Sequence, residues 1–219
     1  MSAQSTERAV SDGVRPVEPV SVAAAPPPYA GGDPTILGLP IFAAGSLVLG
    51  FTLVGFVSAG AGGAPLAIIF AGTGLGLLIA TLWAISLGQT MVACVFGLFA
   101  GFWLSYAALV LGLNHAWYAI PAADVEHTVA EFQITWAIIF AALTIASVRL
   151  PSGFTLVFGL VVLALVLLVI GTLGTSTFWG HAAGVVTFGF AAVGIYLFLA
   201  AASAASGGPA YPIGKPLVE

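Results

Sequence analysis

Charged residues are scarce in this sequence. Only 5% of its 219 residues are Asp, Glu, Lys or Arg, whereas 60% are hydrophobic. Soluble domains carry roughly 25% charged residues, so the composition excludes an ordinary soluble fold and indicates an integral membrane protein. The small net charge of −4 offers no basic surface to nucleic acid, and we expect no nucleic-acid partner.

Residue patterns that carry redox or hydrolytic chemistry are also missing. Cys94 is the single cysteine and lies inside an apolar run, so an intrachain disulfide is impossible. The sequence contains no CxxC pair, no phosphate-binding glycine loop and no pair of histidines at ligand spacing within an apolar run. We therefore predict no cofactor, no metal site, no catalytic residue and no enzymatic activity.

Six long apolar runs are what the sequence does contain. Each run is continuous rather than alternating, which is typical of membrane helices and not of barrel strands. A run of about 20 residues, at about 1.5 Å of rise per residue, crosses a bilayer. The predicted spans cover residues 36–59, 66–87, 91–113, 130–148, 154–173 and 178–202. The sequence therefore predicts an all-α integral membrane protein with six transmembrane helices.

Two tails flank the helical region. Residues 1–32 include three consecutive prolines and are predicted to be a disordered, proline-rich cytoplasmic tail. Residues 33–205 form the predicted transmembrane domain, which opens on Asp33 and Pro34, a favourable start for a helix. Residues 206–219 form the predicted cytoplasmic C-terminal tail.

The basic residues are distributed unevenly between the two sides of the membrane. Six spans put both termini and the turns after the second and fourth spans on one side, and that side holds Arg8, Arg15, Arg149 and Lys215. A long polar connection predicted over residues 114–129, on the other side, holds acidic residues instead. The positive-inside rule predicts cytoplasmic termini in a multi-pass protein of the cytoplasmic (inner) membrane.

The third span combines small residues with large rings. Gly97 and Gly101 are four residues apart, a spacing that lets two membrane helices approach closely. Phe99, Phe102 and Trp103 occupy the same two turns. These rings either pack against lipid and neighbouring helices or line a narrow passage, and the span alone leaves both interpretations open.

The sixth span contains a second small pair and a histidine. Gly180 and Gly184 have the same spacing and predict another close helix contact. A polar side chain such as His181 is costly inside a membrane, so it is a functional candidate. The alternative is that His181 lies at the interface and bonds a loop carbonyl. Because the spans lack charged relay residues, a passive or proton-coupled passage for a small solute is favoured over an ion pump.

Three short motifs follow one another in a recognisable order. Residues 33–39 read Asp-Pro-Thr-Ile-Leu-Gly-Leu, residues 98–103 end in Phe-Trp, and residues 212–214 read Pro-Ile-Gly. In this order and spacing the chain resembles the acetate uptake transporter family, also called the succinate–acetate permease or YaaH family. That family opens its first helix with NPAPLGL and carries SYGSFW in its third.

The resemblance implies a hexamer of six-helix protomers, each with its own pore for acetate or another short monocarboxylate, with succinate as a further candidate. It places the pore constriction on Phe42, Phe99 and Val161, or on Leu160 if the register shifts by one. It places the substrate vestibule on Asp33, Pro34, Leu37, Gly38 and Leu39. The implied partners are the carboxylate, further copies of the chain and membrane lipids.

The passage of this chain is predicted to contain fewer polar side chains than the family pattern. Leu77 and Leu98 stand where the resemblance places a glutamine and a serine, and Phe99 stands in the place of a tyrosine. A carboxylate in an apolar constriction is costly unless hydrogen-bond donors replace its water. Either helix N-terminal amides supply a partial positive charge, or the acid crosses protonated.

Two rival functions stay open: a channel for a small neutral solute such as urea, ammonia or undissociated acid, and an accessory subunit of a larger membrane complex.

Overall fold

A computed structural model describes residues 31–218 of the chain. Within that range the chain forms six long helices and no strand. The helices are α1 Thr35–Leu53, α2 Ile68–Ser86, α3 Thr90–Asn114, α4 Val125–Ala146, α5 Ser152–Leu173 and α6 Thr177–Ala205. The predicted proline-rich tail, residues 1–32, lies outside the described residues except for its last two.

Each helix is long and apolar enough to cross a membrane. The shortest two, α1 and α2, have 19 residues each and extend about 28 Å, close to the ~30 Å hydrocarbon thickness of a bilayer. Large apolar side chains such as Ile79, Ile138 and Ile145 are exposed on the outside of the bundle, as expected of helix faces that contact lipid. The predicted all-α fold with six transmembrane helices is confirmed.

The helices form a ring in which neighbours in the chain lie side by side and α6 closes onto α1. Helix α1 packs between α2 and α6, α5 packs between α6 and α4, and α3 packs against α2. Large rings close the remaining gap between α3 and α4. The ring centroid of Phe102 lies 5.8 Å from that of Phe132, 5.6 Å from that of Trp136 and 5.7 Å from that of Phe140.

The closest approach between α1 and α2 depends on a glycine. A Cβ atom on Gly45 would lie 2.5 Å from Thr73 Oγ1, so only glycine leaves room there. The Thr73 side chain is fully buried, and its hydroxyl donates to the carbonyl oxygen of Ile41 at 3.3 Å. Hydrogen bonds of this kind between helices satisfy polar groups that the membrane interior cannot.

The glycines that the sequence singles out lie in four different environments. A Cβ on Gly97 would lie 3.4 Å from Thr81 of α2, and one on Gly101 would lie 3.3 Å from Trp136 of α4. A Cβ on Gly184 would lie 2.8 Å from Val54 and 3.0 Å from Leu53, so α6 meets the end of α1 closely there. The Cβ position of Gly180 faces open space.

A leucine at position 101 should therefore disrupt the contact between α3 and α4. The Cβ atom already meets the Trp136 ring at 3.3 Å, and the three further carbons of leucine must fit around that ring. Overfilling a packed contact costs about 1–3 kcal/mol. We expect Gly101→Leu to lower the melting temperature of the purified protein, as measured by size-exclusion chromatography of heated samples.

Gly189→Leu is the matched control, because the Cβ position of Gly189 is open. Equal stability of both variants would contradict a tight contact between Gly101 and Trp136.

Helix α1 ends six residues earlier than the predicted span. The span was expected to continue to Ala59, but the helix ends at Leu53 because Gly55 adopts a left-handed conformation with φ of +76°. The Gly55 N–H donates to the Thr52 carbonyl and the Phe56 N–H donates to the Phe51 carbonyl. These two bonds form the Schellman motif, a common helix terminator that favours glycine.

The start of α4 and the geometry of α2 also differ from the sequence prediction. Helix α4 begins at Val125 rather than Ala130, because Ala122–Asp124 forms a 3₁₀ turn that continues directly into the helix. Glu126 lies in the first turn of α4, where the helix dipole favours a negative charge. In α2, the first seven residues, Ile68–Gly74, are π-helical, and only Leu75–Ser86 has α geometry.

The C-terminal segment, residues 206–218, folds back over the turn between α4 and α5. The Ser152 N–H donates to the Lys215 carbonyl at 3.2 Å, and the Leu217 N–H donates to the Val148 carbonyl at 2.8 Å. The Tyr196 hydroxyl donates to the Pro212 carbonyl at 3.0 Å. The segment therefore holds Lys215 at the same end of the bundle as the α4–α5 turn.

Candidate functional site

Five phenylalanine rings from five helices meet in the middle of the bundle. The Phe42 ring of α1 lies 4.7 Å from the Phe99 ring of α3, centroid to centroid, in an edge-on contact. The Phe99 ring also contacts Phe140 at 4.5 Å and Phe158 at 6.0 Å, and Phe42 contacts Phe190 at 5.8 Å. All five side chains are buried. They form a continuous aromatic cluster, which we call the ring cluster.

A cavity lies on each side of the ring cluster. The first cavity, of about 100 Å³, lies toward the start of α1, and the second, of about 190 Å³, lies toward the loop between α3 and α4. Phe42 and Phe99 line both cavities. A solute that moves from one cavity to the other must therefore pass the contact between these two rings.

The third residue of the predicted constriction, Val161, is buried and lines the second cavity. Its neighbour Leu160, the alternative register, is half-buried and lines a groove on the outside of the bundle, beside Tyr196 and Ile213. Of the two positions, Val161 is therefore the one that shares a wall with Phe42 and Phe99.

Apart from Thr35 at the start of α1, the first cavity is lined by apolar side chains. The side chains around it include Met91 and Val95 of α3, Phe154 of α5 and Leu197 of α6. No polar atom is exposed on its wall. A charged group in this cavity would lose its water without gaining a hydrogen bond, which is strongly unfavourable.

Of the five predicted vestibule residues, Leu39 lines the first cavity. Pro34 is buried, and Leu37 is half-buried and packs on the core. A Cβ on Gly38 would overlap the Phe96 ring, which itself lines the first cavity. Gly38 therefore sets the position of a ring in the cavity wall.

Asp33 is exposed, and its carboxylate accepts a hydrogen bond from the Thr35 N–H at 2.9 Å. This bond satisfies one of the free amides at the start of α1. The sequence analysis expected such amides to bind a carboxylate ligand, and the Thr35 amide is therefore not free to do so.

His181 lies in the second turn of α6 and is exposed. Its Nε2 atom is 3.6 Å from the Cβ position of Gly55, at the end of α1. It lines neither cavity, so its position gives it no contact with a solute beside the ring cluster.

The wall of the second cavity contains polar groups that the sequence analysis did not assign to the passage. They belong to Trp103 and Tyr106 of α3, Gln133 of α4 and Thr187 of α6. The Thr187 hydroxyl is used within its own helix, where it donates to the Ala183 carbonyl at 2.8 Å. The sequence did contain a pattern that could have pointed to Trp103 and Tyr106. Together with Phe99 they recur at helical spacing, which places them on one face of α3.

A comparison of its sequence with protein-family models assigns the chain to a known family. The model of the GPR1/FUN34/yaaH family matches residues 17–209, which include all six helices. The chain belongs to this family. The predicted resemblance is thus confirmed, and the chain is a multi-pass membrane protein.

Several relatives of known description match parts of the chain. Accumulation of dyads protein 2 of Saccharomyces cerevisiae is 34% identical over 101 residues, which are 45% of this chain and 35% of that protein. Acetate transporter protein patA of Penicillium expansum is 28% identical over 127 residues, 57% of this chain and 51% of that protein. The patA protein of Aspergillus clavatus is 29% identical over 140 residues, 63% and 56% of the two chains. The aligned part of this chain thus spans between a third and just over half of each relative.

The fold also matches a solved structure. The bacterial acetate channel SatP superposes with a TM-score of 0.74 at 22% identity, and the match covers 84% of this chain and 99% of the channel. At this identity the likeness establishes the shared six-helix fold.

Proposed function

We propose that the protein carries acetate and other short monocarboxylates across the membrane, along a passage that joins the two cavities. The observation that carries the proposal is the contact between Phe42 and Phe99, which separates the two cavities at 4.7 Å between ring centroids. Phe42, Phe99 and Val161 form the constriction. Membership of a family that includes proteins described as acetate transporters supports this substrate class.

The sidedness and assembly of the protein belong to the same proposal. Arg149 lies in the α4–α5 turn, and Lys215 is held against that turn by its carbonyl. Two basic residues at one end of the bundle support a cytoplasmic location for that end, in the cytoplasmic (inner) membrane. The exposed apolar sides of α2 and α4 provide the surfaces for lipid and for other protomers of a hexamer.

The acid crosses the apolar first cavity in its protonated form, because that cavity offers nothing to replace the water around a charge. Short carboxylic acids have a pKa near that of a glutamate side chain, about 4.3, so the neutral fraction rises roughly thirtyfold between pH 7.5 and pH 6. We expect the initial rate of labelled acetate uptake into proteoliposomes, at fixed total acetate, to rise by about the same factor. The rate in protein-free liposomes at each pH is subtracted. A protein-dependent rate that is equal at both pH values would contradict crossing in the protonated form.

A channel for small neutral solutes is the second candidate function, and the apolar wall of the first cavity favours it. Urea uptake by the same proteoliposomes separates the two. Urea entry without saturable acetate uptake would replace the proposed function with the neutral-solute channel. Failure to transport either solute would point to an accessory subunit.

A further inference from the structure

The second cavity contains a buried hydrogen-bond donor that has no acceptor. The Trp103 side chain is 1% exposed, and its indole Nε1 finds no hydrogen-bond partner among residues 31–218. A buried N–H without an acceptor is unfavourable, and nearly all such groups in native proteins are satisfied. Trp103 lines the second cavity, and its N–H is the buried side-chain donor that lacks an acceptor among these residues.

A second donor is oriented by a hydrogen bond from another helix. Gln133 of α4 is 8% exposed and lines the same cavity. The Thr172 hydroxyl of α5 donates to Gln133 Oε1 at 3.2 Å. Since this bond occupies the carbonyl side of the amide, the side chain presents its NH₂ group as the free end.

Tyr106 supplies a third donor. It follows Trp103 by one turn of α3 and lines the cavity with it. Its ring is held in place by Phe102, at 6.2 Å between nearly parallel rings, and by Phe132 at 6.3 Å. Residues 31–218 offer its hydroxyl no hydrogen bond, although those of Tyr118 and Tyr196 are both bonded to carbonyls.

Apart from Thr187, whose hydroxyl donates within α6, the rest of the cavity wall is apolar, and it carries no charge. Leu49, Leu53, Leu165 and Leu168 surround the three donors. Glu131 of α4, the nearest acidic residue in sequence to Gln133, is exposed and does not line the cavity. The lysines and arginines of the chain all lie outside the six helices.

We propose that the second cavity is a binding site for a single carboxylate group, held by Trp103 Nε1–H, the Tyr106 hydroxyl and the Gln133 amide. This inference rests on the proposed function and names the residues that select its substrate. Three donors match the oxygen atoms of one carboxylate, which accepts several hydrogen bonds and donates none. The alkyl end of the acid lies against Phe42, Phe99 and Leu165.

The same arrangement selects against other solutes. A dicarboxylate such as succinate has a second charged group that would lie against leucine side chains without a donor, which is costly. Urea has one acceptor oxygen and four N–H groups, whereas the three proposed contacts are all donors and Gln133 Oε1 already accepts one hydrogen bond from Thr172. The site should therefore prefer short monocarboxylates to both, because a pocket built around hydrogen bonds rejects a ligand that cannot complete them.

Acetate binding to the purified protein tests the site without requiring transport. Saturation-transfer NMR on the acetate methyl group, titrated at pH 7.5, gives the Kd of the wild type and of Trp103→Phe, Tyr106→Phe and Gln133→Met. Each variant removes a donor and keeps an apolar body of similar shape. A hydrogen bond to a charged group accounts for a factor of about ten or more in affinity, so we expect Kd to rise at least about tenfold in each. Propionate should displace acetate, whereas succinate and urea should not.

Ser105→Ala is the matched control, because the Ser105 hydroxyl is used within α3, where it donates to the Gly101 carbonyl at 2.7 Å. Its Kd should equal that of the wild type. If Trp103→Phe fails to fold, the two smaller changes at Tyr106 and Gln133 decide the question.

The outcomes separate the site from the proposed function. Unchanged Kd in Tyr106→Phe and Gln133→Met would overturn the site and leave acetate transport standing. Equal displacement by succinate would overturn the monocarboxylate preference. Weaker binding in the variants, together with no acetate uptake by wild-type proteoliposomes, would support the site and overturn the proposed function.

Discussion

Phe42→Ala is expected to let longer acids pass. The Phe42 side chain is 3% exposed and stands between the two cavities, against Phe99 on one side and Phe190 on the other. Replacing the ring with a methyl group joins the cavities. An apolar site discriminates between two substrates that differ by one methylene by a factor of roughly ten or more. We therefore expect the ratio of butyrate to acetate uptake in proteoliposomes to rise by about tenfold or more.

The backbone around Phe42 leaves its ring little freedom to move aside. A Cβ on Gly194 of α6 would lie 3.2 Å from the Phe42 ring, so the ring rests directly on the α6 backbone at that glycine. Phe99 holds the opposite side, and it is itself stacked on Phe140. Opening the wild-type passage therefore requires several rings to move together, whereas the alanine variant removes the first of them.

Phe178→Ala is the matched control for the loss of a phenylalanine ring. Phe178 is 66% exposed at the start of α6 and lines neither cavity. Its variant should keep the wild-type ratio of butyrate to acetate. An unchanged ratio in Phe42→Ala, in protein that elutes as the wild type does, would remove Phe42 from the constriction.

Gly38→Ala is expected to lower both stability and acetate uptake. A Cβ atom at this position would overlap the Phe96 ring, and Phe96 is 3% exposed, so the ring has little space into which to retreat. Overpacking of this kind costs about 1–3 kcal/mol. The ring lines the first cavity, and a shift into that open space would narrow the passage. Thermal stability of the purified protein and acetate uptake measure the two effects.

A compensating change distinguishes a local clash from a general loss of folding. Phe96→Leu removes part of the ring that the added methyl group meets. In a double-mutant cycle, Gly38→Ala should be far less damaging in the Phe96→Leu background than in the wild type, because the two residues share one contact. Additive losses of stability in the double variant would show that the ring is not the obstacle.

The helices of this protein could be predicted from the sequence because each is an unbroken apolar run. The third and fifth spans differ from α3 and α5 by at most two residues at either end. The larger differences involve backbone geometry that hydropathy does not record. Gly55 terminates α1 through a left-handed conformation, and the π-helical start of α2 has the same apolar composition as an α-helix.

The proposed constriction was predicted from the family resemblance and not from hydropathy. Phe42 and Phe99 are two of 15 phenylalanines in the chain, and nothing in their local sequence distinguishes them from exposed rings such as Phe178. Phe140, Phe158 and Phe190 were missed for the same reason. Leu77 and Leu98, on which the prediction of a dry passage partly rested, line neither cavity, whereas Trp103, Tyr106 and Gln133 give the second cavity a polar wall.

The sequence by itself determined that the chain crosses a membrane with six helices, because it contains six unbroken apolar runs of membrane-spanning length and only 5% charged residues. It also determined the family, through short motifs in a fixed order. Only the tertiary structure decided which rings meet and which donors face a cavity. Phe42 and Phe99 are 57 residues apart in the chain, and the Thr172 that orients Gln133 is 39 residues away from it. Contacts at such separations depend on how helices pack and rotate against one another, which apolar runs of nearly uniform composition do not encode locally.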